Sequence, residues 1–321
     1  MSIALLFSPQ GSQSVGMGRE LASVSPAAAA VFREADEALG WSVSRLAWEG
    51  PEDRLNDTRQ TQPCLVATSV ACLRALEEEL DGMGERISPA FVAGHSVGEY
   101  AALAAAGALS LADAVRLVAR RGELMADARV SGGMVAVIGL DREGVAAVVS
   151  SLGVGDDLVV ANDNAPGQVV ISGTPEALAL VAEPLRTAGA RRSIPLNVSG
   201  PFHSPHMAGL GAELARALAT AEWHDAEPPV VSNVTGEPVR AAAAIRALLE
   251  RQVSSPVEWV RSVRRMADEG VDTFVECGPG NALTGMVRRI VPEARTLNVS
   301  DPASLAASAD ALAGTVARVP A

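Results

Sequence analysis

The residues most able to do chemistry lie together at Gly94-His95-Ser96-Val97-Gly98. The apolar run Phe91-Val92-Ala93 precedes them, and an Ala/Leu-rich run follows. This is a G-x-S-x-G pattern in a strand–turn–helix setting. A serine on so sharp a turn crowds the residues two positions to either side, so both must lack a Cβ. The turn lifts the Ser96 hydroxyl out of the sheet. It also sets Ser96 at a helix N-terminus, where free N–H groups favour developing negative charge. Ser96 is therefore expected to be a nucleophile. In a chain with 29 glycines the pattern also arises by chance, and the flanking strand and helix are what give it meaning.

A serine nucleophile needs a base, and the chain has four histidines. His95 is adjacent to Ser96, and neighbours on a sharp turn point apart. His224 sits among Glu222, Asp225 and Glu227, the composition of a solvated surface. His203 and His206 lie in a Gly/Pro/Ser-shaped loop far along the chain, where a hydrolase-like sheet returns its histidine to the serine. Loop position and the order Ser-then-His favour His203. No acid announces itself as a third member. A backbone carbonyl can equally fix the imidazole tautomer. Oxyanion donors are expected from the N–H of Val97 and from the early loop Ser8-Pro9-Gln10-Gly11, with Gln10 the candidate. Arg120 and Arg121 fall mid-helix in an apolar periodic run. They pair either with Glu123 and Asp127 or, on a buried face, with an anionic substrate group.

These residues need a scaffold, and the chain alternates strand and helix patterns. Ile3–Phe7, Ile87–Gly94, Val230–Val234, Thr273–Glu276 and Thr296–Val299 read as strands. Gly18–Val24, Pro26–Leu39, a helix opened by Thr61-Gln62-Pro63 and ending at Leu80, Glu99–Ala106 and Leu111–Ala126 read as helices, as do His206–Thr220, Ala241–Gln252, Val257–Glu269 and Ala282–Ile290. Such alternation predicts a parallel α/β sheet. Between them, strands at 132–138, 158–162, 168–172 and 191–196 alternate with helices at 141–152 and 175–188. The order β-α-β-β-α-β is that of a ferredoxin-like unit. The expected division is an α/β hydrolase-like core over 1–128 plus 198–300, a small ferredoxin-like α+β subdomain inserted over 129–197, and an Ala-rich C-terminal tail over 301–321.

Composition excludes several chemistries. All 26 basic residues are arginine, so neither a lysine Schiff base nor a lysine-dependent phosphate loop is available. Four histidines and three scattered cysteines lack metal-ligand spacing, and no cofactor or metal is expected. The net charge of −12 argues against nucleic acid and requires a local arginine patch for any acidic partner. Candidates for such a patch are Arg191, Arg192, Arg264, Arg265, Arg288 and Arg289, although solvated helix faces explain them equally. No apolar stretch reaches the roughly 20 residues of a membrane span. Met1–Phe7 lacks a basic leader region and reads as a strand rather than a signal peptide. Cys64, Cys72 and Cys277 form no disulfide framework, which suits a reducing cytoplasm.

Seven short motifs then fall in register. They are Phe7-Ser8-Pro9-Gln10-Gly11-Ser12-Gln13, Gln60-Thr61-Gln62-Pro63, Gly94 through Tyr100, Arg121-Gly122-Glu123-Leu124-Met125, Asn162 through Gln168, Gly200-Pro201-Phe202-His203-Ser204 and Cys277-Gly278-Pro279-Gly280. From residue 3 to about 300 the chain resembles the malonyl-CoA:acyl-carrier-protein transacylase family, including polyketide synthase acyltransferase domains. The resemblance implies Ser96 as nucleophile, His203 as base, Gln10 and Val97 as oxyanion donors and Arg121 as the malonyl carboxylate clamp. It also implies a main-chain carbonyl near Gln252 in place of the triad acid, with Gln62 and Asn162 lining the pocket. Pro9 departs from the family, where glycine is usual, and lacks one N–H.

What the resemblance implies is malonyl transfer from malonyl-CoA to the 4′-phosphopantetheine thiol of an acyl carrier protein, for fatty-acid or polyketide synthesis, by a monomer. Relatives that select methylmalonyl tend to carry glutamine and serine where Val97 and Phe202 stand. The bulk of Phe202 leaves less room for an α-methyl branch and favours malonyl, by about 1–3 kcal/mol. A trans-acting polyketide acyltransferase shares this chemistry. A serine esterase or thioesterase, and a non-catalytic carrier-binding protein, are the readings from other classes.

Overall fold

In the computed structural model of the chain, residues 1–315 and the backbone of 317–318 are described. A six-stranded sheet runs in the order Arg295–Val299, Thr273–Cys277, Ile3–Phe7, Phe91–Gly94, Val230–Val231, Pro238–Val239. The first five strands are parallel and the short Pro238–Val239 edge is antiparallel. Ile3–Phe7 is apolar without a break because both faces of its sheet are covered. Its odd residues, Ile3, Leu5 and Phe7, join the large core under the helix Thr58–Gly82. Its even residues, Ala4 and Leu6, face Trp259, Val263, Met266 and Leu283 on the other side.

A second, antiparallel sheet has the order Leu158–Ala165, Gln168–Gly173, Gly133–Ile138, Arg192–Pro195. The helices Arg142–Ser151 and Pro175–Thr187 pack on it around a separate cluster that includes Val145, Ile171 and Val181. Its first strand runs to Ala165, three residues beyond the expected end at Asn162, and bulges twice on the way. The extension is tertiary in origin. Asp163 N–H donates to the Val257 carbonyl at 3.0 Å and Val257 N–H to the Ala161 carbonyl at 2.8 Å, which stitches this polar stretch to the main body.

Other differences from the sequence expectations have local causes. The helix expected from Thr61 begins at Thr58, because Asp57 caps it by accepting from Arg59 N–H at 2.9 Å, and Pro63 lies inside it. The expected helix His206–Thr220 splits into a 3₁₀ turn, Pro205–Leu210, and the helix Gly211–Leu218, at a segment weakened by Gly209 and Gly211. Val230–Val231 is shorter than expected because Asn233 leaves the sheet for the serine turn. The strand expected from Ile87 begins at Phe91. Within the stretch read as a tail, Pro302–Leu312 is a helix closed by an Asp301–Ser304 capping box, with Leu305, Ala309 and Leu312 buried. Residues 316 and 319–321 of that tail lie outside the described residues.

The serine turn depends on two glycines. A Cβ at Gly94 would lie 1.9 Å from the Gly98 carbonyl oxygen, and one at Gly98 would lie 2.2 Å from that of Phe7. Both obstacles are backbone, which cannot swing aside. Gly94→Ala should therefore destabilise the fold by about 3 kcal/mol. Gly285, in the helix Ala282–Ile290, has open space around it, so Gly285→Ala should be neutral or stabilising. Urea unfolding midpoints of the two variants check this, and equal midpoints would refute the steric account of the turn.

Candidate active site

Ser96 sits between the strand Phe91–Gly94 and the helix Gly98–Ala105 with φ of 53°, a left-handed conformation that non-glycine residues adopt rarely. Asn233 holds it there. The Asn233 Oδ1 accepts from Ser96 N–H at 2.6 Å, and its Nδ2 donates to the Gly94 carbonyl at 2.7 Å. His203 also has a positive φ, 57°, and its N–H donates to the Val253 carbonyl at 3.0 Å. Two strained residues thus face each other, with Ser96 Oγ 2.8 Å from His203 Nε2.

The tautomer of His203 follows from its other nitrogen. Nδ1 lies 3.0 Å from the Gln252 carbonyl and 3.2 Å from that of Ser255, both pure acceptors. Nδ1 therefore carries the hydrogen, and Nε2 presents a lone pair to the Ser96 hydroxyl. Burial, then the Arg121 charge and His95, push the His203 pKa down to about 3. The imidazole is neutral at physiological pH and free to take a proton.

Arg121, only 1% exposed, lies beside this pair. Its Nη1 donates to Gln62 Oε1 at 2.8 Å, and its Nη2 to Gln252 Oε1 at 2.9 Å and Ser96 Oγ at 3.1 Å. Its Nε has no partner among the described residues, and its guanidinium stacks 5.9 Å from the Tyr100 ring. Gly122 allows the approach, since a Cβ there would meet the Thr58 carbonyl at 2.7 Å. The two mid-helix arginines separate cleanly. Arg120 pairs with Glu123 and Glu213 at 3.0 Å, and Asp127 pairs with Arg59 at 2.6 Å. Among the described residues no carboxylate lies within ion-pair distance of Arg121. A buried cation whose acceptors are all neutral can receive an anion.

A cavity of about 500 Å3 opens over the serine, lined among others by Gln10, Ser96, Asn162, Phe202, His203 and Met286. Arg121, Val97, Gln62 and Gln252 are buried and do not line it; Arg121 touches it only through its bond to Ser96 Oγ, and the two glutamines bond to Arg121 behind the serine. Among the described residues neither the Gln10 N–H nor the Val97 N–H has a protein acceptor. A serine hydroxyl bonded to a neutral imidazole, next to free backbone donors and an unneutralised cation, can form an ester with an acidic acyl group.

A family model described as "Acyl transferase domain" matches residues 4–317. The chain belongs to the acyl transferase family. It is 44% identical over 306 residues to the malonyl CoA-acyl carrier protein transacylase of Bacillus subtilis (strain 168), covering 94% of this chain and 95% of that protein. Among solved structures, an acyl-carrier-protein S-malonyltransferase from Burkholderia pseudomallei 1710b superposes with a TM-score of 0.91 at 39% identity, covering 97% of this chain and 100% of that one. A malonyl-transacylase in complex with its type II PKS acyl-carrier protein gives 0.90 at 39% identity, with 97% and 100% covered.

Within this acyl transferase the remaining titratable groups find other partners. The His95 Nε2 lies 2.8 Å from Asn164 Oδ1 and its ring 5.4 Å from that of Trp259. His206 is 3.7 Å from Asp157, and the exposed His224 is 3.7 Å from Glu222. All three cysteines are free and buried, and burial pushes Cys64 and Cys72 up to about 12 and Cys277 well above its usual value, so none competes as nucleophile. Among the described residues no group of His, Cys, Asp and Glu could hold a metal ion. None of their helices is long and apolar enough to cross a membrane.

Sequence reasoning missed the Ser255 carbonyl, Asn233, Asn164 and the Gln252 side chain. Their partners lie far away along the chain, and no local pattern marks them. Glu99 carried a signal that went unused, being the one acid of an otherwise nonpolar helix.

Proposed function

We propose that the protein transfers a malonyl group from malonyl-CoA to the phosphopantetheine thiol of an acyl carrier protein, through a malonyl-Ser96 ester. His203 Nε2 takes the Ser96 proton as Oγ attacks the thioester carbonyl. The Gln10 and Val97 N–H groups receive the oxyanion. The tetrahedral intermediate collapses, the C–S bond breaks, and His203 returns the proton to CoA sulfur. The carrier thiol then attacks the ester by the same steps, a ping-pong sequence that uses only the chain's own groups. The Gln252 and Ser255 carbonyls stand in for the triad acid by holding Nδ1–H. Arg121 takes the malonyl carboxylate, with Gln62 and Gln252 as its supports and Asn162 and Phe202 as pocket walls. The size of Phe202 favours malonyl over methylmalonyl.

The observation that carries this reading is the hydroxyl of Ser96 between two groups, the neutral His203 at 2.8 Å and the unneutralised Arg121 at 3.1 Å. A general esterase has no use for a buried cation at its nucleophile. The names of the relatives favour malonyl and a carrier protein in particular. The reading extends to the architecture. The main parallel sheet is a hydrolase-like core over 1–128 and 198–300, and 129–197 is a ferredoxin-like insert, which the antiparallel sheet order supports. We further infer a cytoplasmic monomer serving fatty-acid or polyketide synthesis.

The test is intact-protein mass spectrometry after incubation with malonyl-CoA. One malonyl adduct is expected, mapped to Ser96 by peptide digestion and discharged by holo carrier protein with a matching gain on the carrier. Release of free malonate without an adduct would favour the hydrolase reading. Neither adduct nor malonate would overturn the assignment.

A further inference from the structure

Glu99 is an acid only 2% exposed in a helix otherwise made of Gly, Ala, Leu and Tyr. Among the described residues no cation lies within ion-pair distance of it. It is held by two neutral donors. Gln252 Nε2 lies 2.6 Å from its Oε2, and Asn233 N–H lies 3.3 Å from the same oxygen. A buried carboxylate so placed is costly unless its bonds do something an apolar residue could not.

What they do is fix the direction of one amide. The Gln252 carboxamide faces three groups with no choice of role. Arg121 can only donate and the Ser96 carbonyl can only accept. Burial pushes the Glu99 carboxyl up to about 7, so above that pH it too can only accept. Nε2 must point to Glu99 and to the Ser96 carbonyl, the latter at 3.1 Å, and Oε1 must point to Arg121 at 2.9 Å. The Gln252 main-chain carbonyl meanwhile receives His203 Nδ1–H. One residue thus touches the cation, the nucleophile's backbone and the base, and Glu99 anchors its free end.

We propose that Glu99 is a positioning residue that, by locking the Gln252 carboxamide with its oxygen toward Arg121, aims the guanidinium and so sets the preference for carboxylate-bearing acyl groups. The inference rests on the acyl-transfer reading above. The geometry separates two effects. Aim matters to an acyl group with a carboxylate, because a bidentate fork tolerates little misdirection. It matters little to acetyl, which needs only Ser96, His203 and the oxyanion donors.

The experiment measures initial rates of Ser96 loading from malonyl-CoA and from acetyl-CoA at about pH 8.5, above the Glu99 value of about 7, in wild type, E99Q, Q252A and the double variant. E99Q keeps the shape and removes the charge, and Q252A keeps the main-chain carbonyl that holds His203. Wild type is expected to load malonyl in preference to acetyl. If it loads neither, the acyl-transfer reading fails, whatever Glu99 does. In E99Q the malonyl-to-acetyl ratio is expected to fall roughly tenfold with acetyl loading nearly unchanged, as for loss of one charge-assisted bond. Q252A should show a similar fall, and the double variant no further fall, because Glu99 acts through Gln252. The proposal is overturned if E99Q slows both donors equally or abolishes both, which a purely structural role would produce. It is also overturned if the ratio rises, as removal of a repelling charge would give, or if the two effects add.

Discussion

Ser96→Ala should abolish the malonyl adduct, and His203→Ala should slow its formation by roughly 10²–10⁴-fold, the usual worth of a positioned general base. Direction matters here as well as distance. Nδ1–H is committed to the Gln252 and Ser255 carbonyls, so the lone pair of Nε2 can point only at the Ser96 hydroxyl, 2.8 Å away. His203→Ala leaves Arg121 Nη2 and the free backbone donors in place, so a residual rate is expected rather than none. The pH dependence gives an independent check. A base works when unprotonated, and His203 is held far below the usual histidine value of 6.5, at about 3. Acylation by acetyl-CoA, a donor without a carboxylate, should therefore stay level as pH falls through 6.5 and decline only toward the folded pKa. An inflection near 6.5 would mean that His203 is solvated, or that another group is the base. Single-turnover loading measured across that range separates these outcomes.

Arg121→Ala should lower malonyl loading relative to acetyl by upward of about 100-fold. Placing the malonyl carboxylate in this pocket without its cation strands a buried charge, at a cost of about 3 kcal/mol or more. The change also leaves the Gln62 and Gln252 side-chain oxygens without their donor, so some loss of stability accompanies it. Acetyl loading should change far less, because nothing in acetyl needs the guanidinium. Arg121→Lys is expected to fall between. Its compact ammonium keeps the charge but cannot reach Gln62, Gln252 and Ser96 together from one plane. Competition between the two CoA esters, read by intact mass, gives the ratio directly. An unchanged ratio in Arg121→Ala would remove the carboxylate clamp from the mechanism.

The contrast between Arg120 and Arg121 shows how far a sequence carries such an argument. Both stood in the same apolar repeat, with two acids nearby to satisfy them. Periodicity says that adjacent helical residues point about 100° apart, so at most one could be buried. It does not say toward what. The packing of Leu111–Asp127 against Thr58–Gly82, made close by Gly122, turned Arg121 inward to Gln62 and left Arg120 to Glu123 and Glu213.

Local chemistry was legible in the order of residues alone. The serine turn was written in Gly94 and Gly98, because the atoms that forbid a Cβ there belong to the turn and to the neighbouring strand. The alternation of strands and helices, and the parallel main sheet, followed from short apolar runs and amphipathic repeats. Family motifs named Ser96, His203, Gln10, Val97, Arg121, Gln62, Asn162, Phe202 and Gln252. What holds these groups in place emerges only in the folded chain. The strand order places Ile3–Phe7 between Thr273–Cys277 and Phe91–Gly94, with Val230–Val231 beyond, and so gathers loops from both halves of the chain over one serine. Asn233 reaches the turn across 137 residues and Gln252 across 156. No periodicity or spacing encodes a hydrogen bond over such a separation, because its partners meet only once the sheet between them has formed. That is why the nucleophile could be read from the sequence while Asn233, the partner of Glu99 and the second carbonyl on His203 could not.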